Sequence, residues 1–140
     1  MNKEMKMEFS SLSENEGFAR VAVGAFVAGL NPTVDELADI KTAVSEAVTN
    51  AIIHGYEGET GMIWITCKIV EQEIELSVID VGKGIVDIQK AREPMFTTKP
   101  ELERSGMGFT FMEVFMDQVE VHSCIERGTC VTMRKVIGKG

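Results

Sequence analysis

Ser45-Glu46-Ala47-Val48-Thr49-Asn50-Ala51-Ile52-Ile53-His54-Gly55 is the stretch on which the fold turns. Its apolar residues continue the helical spacing of Leu37, Ile40 and Val44 through Ala47, Val48, Ala51 and Ile52, which describes a helix buried along one face. Thr33-Val34-Asp35-Glu36 supplies a capping box at its start, and Gly55 is the expected stop, with the helix running to about His54. Glu46, Asn50 and His54 fall at i, i+4 and i+8 along the edge of the apolar stripe, beside the small residues Ala43 and Ala47. A carboxylate and an amide one turn apart share a face, so one can act on a nucleophile while the other offers a neutral oxygen to a metal ion. Such a row can line a cavity.

Working outward, Met62 to Val70 and Ile74 to Asp80 read as two strands joined by an acidic turn around Glu71-Gln72-Glu73. Glu73, Glu75 and Ser77 alternate with Ile74, Leu76 and Val78, so one face is wet and the other packs against helices. Asp80-Val81-Gly82-Lys83-Gly84 ends the second strand in a glycine turn. Upstream, Lys6 to Ser10 alternates as an edge strand. Ser13-Glu14-Asn15-Glu16 fits a second capping box, and Phe18, Val21, Ala22, Ala25 and Phe26 form a stripe expected to face the core, leaving Arg20 on the opposite side. Asn31-Pro32 breaks that helix. From Ile85 to Ser105 periodicity is poor and Pro94 and Pro100 intervene, the mark of a functional or mobile loop. Ser105-Gly106-Met107-Gly108-Phe109 then opens a helix carrying Phe109, Met112, Val114, Phe115 and Met116. Val119 to Cys124 and Thr129 to Val136 are two more strands, turning at Glu126-Arg127-Gly128. The order predicts an α+β protein with helices laid on one face of a sheet.

The 140 residues are expected to form one domain. With 44% hydrophobic and 26% charged residues the composition is that of a chain that folds. Twenty-two acidic against 14 basic residues give a net charge of −8, which repels nucleic acid and anionic membranes and leaves no basic stripe, so direct binding of either is not expected. A polyanion such as ATP can still bind if a divalent cation and local backbone donors meet it. Cys67, Cys124 and Cys130 are an odd count without zinc spacing, which argues for a reducing compartment. No signal-peptide core or apolar run long enough to span a bilayer occurs, and a cytoplasmic location is expected.

Taken together, the boxes resemble the Bergerat-fold ATP-binding domain shared by type II topoisomerases, Hsp90 chaperones, histidine kinases and MutL proteins. Glu46, Asn50, His54 and Gly55 match its N box, Asp80, Gly82 and Gly84 its first glycine box, Gly106 and Gly108 its second, and Gly128-Thr129 its last. The resemblance implies a two-layer α/β sandwich with a mixed, mostly antiparallel sheet covered on one face by helices, and an ATP lid over about 85–105. The N-box wording and the tract Phe96-Thr97-Thr98-Lys99-Pro100-Glu101 look like the anti-sigma serine kinases of endospore-forming bacteria. Resemblance to them implies a homodimer that sequesters a sporulation sigma factor and, with ATP, phosphorylates a serine on an anti-anti-sigma protein. It also nominates Arg20 as a partner contact, against the reading of a solvated surface charge.

Physical chemistry assigns roles to the matching positions. Asp80 ends a buried strand, where its carboxylate can accept the exocyclic amine of adenine and repel the carbonyl that guanine presents there. Gly82 and Gly84 let the backbone approach the base, and Thr129 assists through its hydroxyl. Asn50 offers an oxygen to Mg²⁺. Gly106 and Gly108, with Ser105, open a helix whose N–H groups face the phosphates of ATP or ADP. Glu46 is placed as general base for an attacking hydroxyl, and Arg104, ahead of Lys99, to stabilise charge on the γ-phosphoryl group. Thr97 and Thr98 either contact phosphate or stabilise the loop, and His54 reads as structural. Two alternatives stay open: a nucleotide-gated binding protein with little or no phosphotransfer, and a histidine-kinase-type catalytic domain.

Overall fold

The computed structural model describes residues 2–93 and 108–138. Strand β1 (Asn2–Ser10) leads into helix α1 (Glu14–Val27), a 3₁₀ turn (Ala28–Leu30) and helix α2 (Val34–Asn50), which passes into a π-helical turn at Ala51–Gly55. Strands β2 (Met62–Val70) and β3 (Glu73–Asp80) form a hairpin, followed by the short helix α3 (Ile88–Ala91), helix α4 (Gly108–Phe115) and the hairpin β4 (Gln118–Cys124) and β5 (Gly128–Val136). The five strands lie in the order β1-β2-β3-β5-β4. All four pairings are antiparallel.

Period-two alternation turns Ile63, Ile65, Cys67 and Ile69 of β2, Ile74, Leu76 and Val78 of β3, and Val131 and Met133 of β5 to one side, where all are buried. On that side α2 lies between α1 and α4, and Ile40, Ala43, Val44, Ala47, Val48 and Met112 complete the core. This is the two-layer sandwich that the alternation predicts. The other face of the sheet carries ion pairs such as Arg134 Nε to Glu75 Oε2 at 3.0 Å. Among the described residues no helix is long and apolar enough to cross a membrane.

The capping box before α2 forms as expected: Glu36 N–H donates to Thr33 Oγ1 at 3.0 Å and Thr33 N–H to Glu36 Oε1 at 2.9 Å. The second box does not. Ser13 has helical dihedrals and its side chain caps no helix N–H. Asn15 Nδ2 instead donates to the Ser10 carbonyl at 2.9 Å, tying the helix start to β1.

The expected core stripe of α1 is rotated. Ala19, Val23 and Val27 are fully buried, while Phe18 is 70% and Val21 62% exposed. Small Ala19 and Gly24 let α1 come close to its neighbours, so the row one position along from the Phe18 and Val21 stripe faces the core. Arg20 is exposed, 3.6 Å from Glu16. Val114 of α4 is also exposed, at 68%. Strand β1 begins at Asn2, earlier than Lys6, because its whole length finds partners from Met62 to Val70.

Candidate nucleotide site

Three loops and two helix ends meet at one end of the sheet. Asp80 closes β3 on its core-facing side and is 6% exposed. Its Oδ1 accepts the Gly82 N–H at 2.9 Å, and Thr129 lies directly across the ladder on β5. Burial pushes the Asp80 carboxyl above its usual range, and the N–H groups of Gly82 and Thr129 offset this only in part. A buried acid with few donors is an acceptor in want of one.

The glycines around Asp80 are there for contact. A Cβ on Gly55 would stand 3.0 Å from the Asp80 carboxyl carbon, and one on Gly82 would overlap the Gly55 carbonyl. Lys83 N–H donates to Gly55 O at 3.0 Å, fastening the loop after β3 to the π turn. On the other side, Glu126 N–H donates to Lys83 O at 2.7 Å, and Gly84, at φ +81°, packs on the Cys124 carbonyl. Ser123 Oγ accepts from Ile85 N–H at 2.7 Å and pairs with Thr129 Oγ1 at 2.8 Å, which engages the Thr129 hydroxyl.

The helical run ends at Gly55 as expected, but beyond α2 its last five residues, Ala51–Gly55, widen into the π turn, closed by Tyr56 N–H to Ala51 O at 3.0 Å. Such turns gather at functional sites because they re-aim the residues that follow. Here the turn carries Gly55 to the Asp80 carboxylate while leaving Glu46 and Asn50 in regular helix. At the start of α4, a Cβ on Gly108 would lie 3.3 Å from Asn50 Nδ2, from Asn50 Oδ1 and from Glu46 Oε2. The start of α4 therefore lies against both side chains. Asn50 Nδ2 is buried and has no hydrogen-bond partner among the described residues.

Between these ends lies a cleft of about 360 Å³, a size suited to a small ligand. Asn50 and Gly108 line one end, Asp80, Gly84 and Thr129 the other, and His54 of the π turn also lines it. Val78, Ile85, Phe109 and Val131 form apolar walls, and Lys83 and Lys90 also reach it. Val78 and Val131 could have been found from alternation, since each is two residues from a polar site position on the same face. Lys90 is placed by α3, a helix that the weak pattern after Ile85 did not announce. Lys83 pairs with Glu57 at 3.2 Å. Thr97, Thr98, Lys99, Arg104, Ser105 and Gly106 lie outside the described residues, as does most of the expected lid.

The donor set fits a phosphate and a hard cation at the Asn50 end: an amide oxygen, a carboxylate and helix N–H groups. Among the described residues no three His, Cys, Asp or Glu side chains come together to hold a metal by themselves, so a cation there needs oxygens from a ligand.

Helices on one face of an antiparallel sheet, with a cleft running from a buried carboxylate to a helix N-terminus, define an ATPase-type nucleotide domain. The chain matches the Histidine kinase-like ATPase domain over residues 9–135. It is 60% identical over 136 residues to an anti-sigma F factor of Clostridium perfringens strain 13, covering 96% of this chain and 97% of that one. It is 57% identical over 140 residues to the anti-sigma F factor of Anoxybacillus flavithermus, covering 99% and 96%. A crystal structure of the RsbU and RsbW domains of a Mycobacterium tuberculosis protein superposes with a TM-score of 0.69 at 18% identity, over 96% of this chain and 32% of that one, which shows the shared fold. The chain belongs to the histidine kinase-like ATPase domain family, in the group that contains the anti-sigma F factors. Binding of ATP or ADP goes with that membership.

Proposed function

We propose that this protein is an anti-sigma factor that sequesters a sporulation sigma factor and uses Mg-ATP to phosphorylate a serine of an anti-anti-sigma protein. The observation that carries the kinase reading is the convergence of Glu46 Oε2 and the Asn50 amide on the first residue of α4. Relatives named anti-sigma F factor over nearly the whole chain support the sigma partner. As in the resemblance, the protein works as a homodimer in the cytoplasm of a sporulating cell, in one domain.

Adenine enters at the Asp80 end. Its exocyclic amine donates to the Asp80 carboxylate, Thr129 borders it, and the Gly82 and Gly84 turn leaves room for the ring. The apolar walls exclude water from the base, and the triphosphate runs toward Gly108, where the α4 N–H groups receive it. Asn50 Oδ1 would hold magnesium, which would supply positive charge to offset that of the phosphates. Glu46 takes the proton of the incoming serine hydroxyl as its oxygen bonds to the γ-phosphorus and the bond to the ADP oxygen breaks. Sequence order nominates Thr97, Thr98, Ser105 and Gly106 for the phosphates and Arg104 for the transferring group. Neither histidine suits a histidine kinase's phosphoacceptor: His54 lies on the π turn and His122 on the strand β4.

The test is transfer of labelled γ-phosphate to the serine-bearing partner. Glu46→Gln should slow transfer by about 10²–10⁴ while ADP still binds. Equal rates in variant and wild type would remove Glu46 as the base. A wild type that binds ATP and transfers nothing would leave a nucleotide-gated sequestering protein. Arg20→Ala should weaken capture of sigma factor and antagonist without changing ADP affinity. Unchanged capture of both would return Arg20 to the solvated surface.

A further inference from the structure

We infer that Tyr56 is a positioning residue for the adenine-reading end of the cleft, acting on Asp80 through the main chain of Val81. Tyr56 follows the π turn, and its ring lies across Gly61, where any Cβ would overlap it. Its hydroxyl donates to the Met62 carbonyl at the start of β2 and accepts the Val81 N–H at 2.9 Å. The donor and acceptor roles are both in use, so the hydroxyl has a fixed direction. Val81 is the residue after Asp80, and its own side chain is 57% exposed, so packing contributes little to holding it.

The peptide that Tyr56 grips therefore joins two other anchored groups. Before it stands the Asp80 carboxylate, pressed on Gly55; after it, Gly82 N–H returns to Asp80 Oδ1 and Lys83 N–H goes to Gly55 O. Tyr56 N–H itself closes the π turn on Ala51 O. One residue thus ties the end of the Asn50 helix, the start of β2 and the end of β3 to one another. Without the hydroxyl, the Val81 N–H loses its partner and the carboxylate loses one fixed side of its frame. Base selection, which depends on where those two oxygens point, is the property that suffers.

The inference rests on the reading that Asp80 receives the exocyclic amine of adenine. Its test is calorimetric binding of ADP and of inosine diphosphate, which presents a carbonyl in place of the amine, to wild type, Tyr56→Phe and Asp80→Asn. Phenylalanine keeps the ring over Gly61 and removes only the hydroxyl. Of the two hydrogen bonds this removes, the one from Val81 N–H bears on Asp80, and its loss predicts about five- to tenfold weaker ADP binding by Tyr56→Phe, with inosine diphosphate little changed and the preference between them reduced accordingly. Binding stoichiometry reports the folded fraction separately. Gly61→Ala, which presses a methyl on the ring, should erode the same preference and serves if Tyr56→Phe does not fold. Undiminished ADP affinity, or equal losses for both nucleotides, would overturn the positioning role and leave Tyr56 a packing residue. Full ADP affinity in Asp80→Asn would instead remove the adenine reading itself.

Discussion

Alanine at Gly82 would set a methyl group onto the main chain of the π turn. The added Cβ overlaps the Gly55 carbonyl and lies 2.9 Å from Gly55 Cα. Backbone atoms inside a hydrogen-bonded turn cannot swing aside as a side chain can, so relief comes from lifting the 81–84 loop. Lifting it breaks Lys83 N–H to Gly55 O at 3.0 Å and Gly82 N–H to Asp80 Oδ1 at 2.9 Å. The first is worth about 1 kcal/mol net and the second, to a carboxylate, about 1.5–3 kcal/mol. If the loop must return to its native place to hold adenine, at least about 2 kcal/mol is charged to binding, and ADP affinity falls about 30-fold or more. Calorimetry on Gly82→Ala measures this, with Gly58→Ala as the control. Gly58 has φ +88° and no neighbour within 4 Å of an added Cβ, so alanine there costs about 1–2 kcal/mol of backbone strain and should lower the unfolding midpoint without touching ADP affinity. Wild-type ADP binding by Gly82→Ala, or an equal loss in Gly58→Ala, would refute the claim that contact with the π turn shapes the site.

Asp80 should show opposite effects on stability and binding. Because burial raises its folded pKa from 3.8, the folded chain binds the proton more readily than the unfolded one, and ionised Asp80 lowers stability above its folded pKa. Asp80→Asn should therefore raise the unfolding midpoint of the nucleotide-free protein at pH 7, a gain that shrinks as pH falls toward 3.8, while ADP affinity drops. A variant no more stable at pH 7 would contradict the burial penalty. Cysteine labelling checks the core: burial pushes the Cys67 thiol up to about 12, whereas Cys124 is exposed. A thiol reagent at pH 8 should modify Cys124 quickly and Cys67 only on unfolding; comparable rates would contradict the packing of β2.

Much of the sandwich was legible because alternation in β2, β3 and β5 and the Thr33 cap are local signals, and local physics decided them. The Glu46 and Asn50 pair and Asp80 could also be placed, since helical and strand periods fix which face each occupies. What the sequence did not reveal depends on neighbours far along the chain. The α1 face is chosen by how closely Ala19 and Gly24 approach other elements, so Phe18 and Val21 stay outside although their spacing suits a core stripe. The Ser13 hydroxyl makes no cap, and the helix start is tied instead by Asn15 Nδ2 to the Ser10 carbonyl, a partner settled only when strand and helix meet. Tyr56 and Ile85 enter the site through contacts 25 and 38 positions away, with Val81 and Ser123, and no local pattern marks such residues.

The π turn makes chain length a fixed quantity here. In an α-helix each residue adds about 100° of rotation, so one residue more or less between Asn50 and Tyr56 would swing Gly55 away from Asp80 by roughly that angle while leaving Asn50 in place. Substitutions in Ala51–Gly55 disturb one contact at a time; a single insertion or deletion would uncouple the two ends of the cleft at once. The exposed stretch Glu57 to Thr60, a few residues on, is held by separate contacts, Glu57 to Lys83 and Ser11 Oγ to the Glu59 carbonyl, and added length there should be tolerated better.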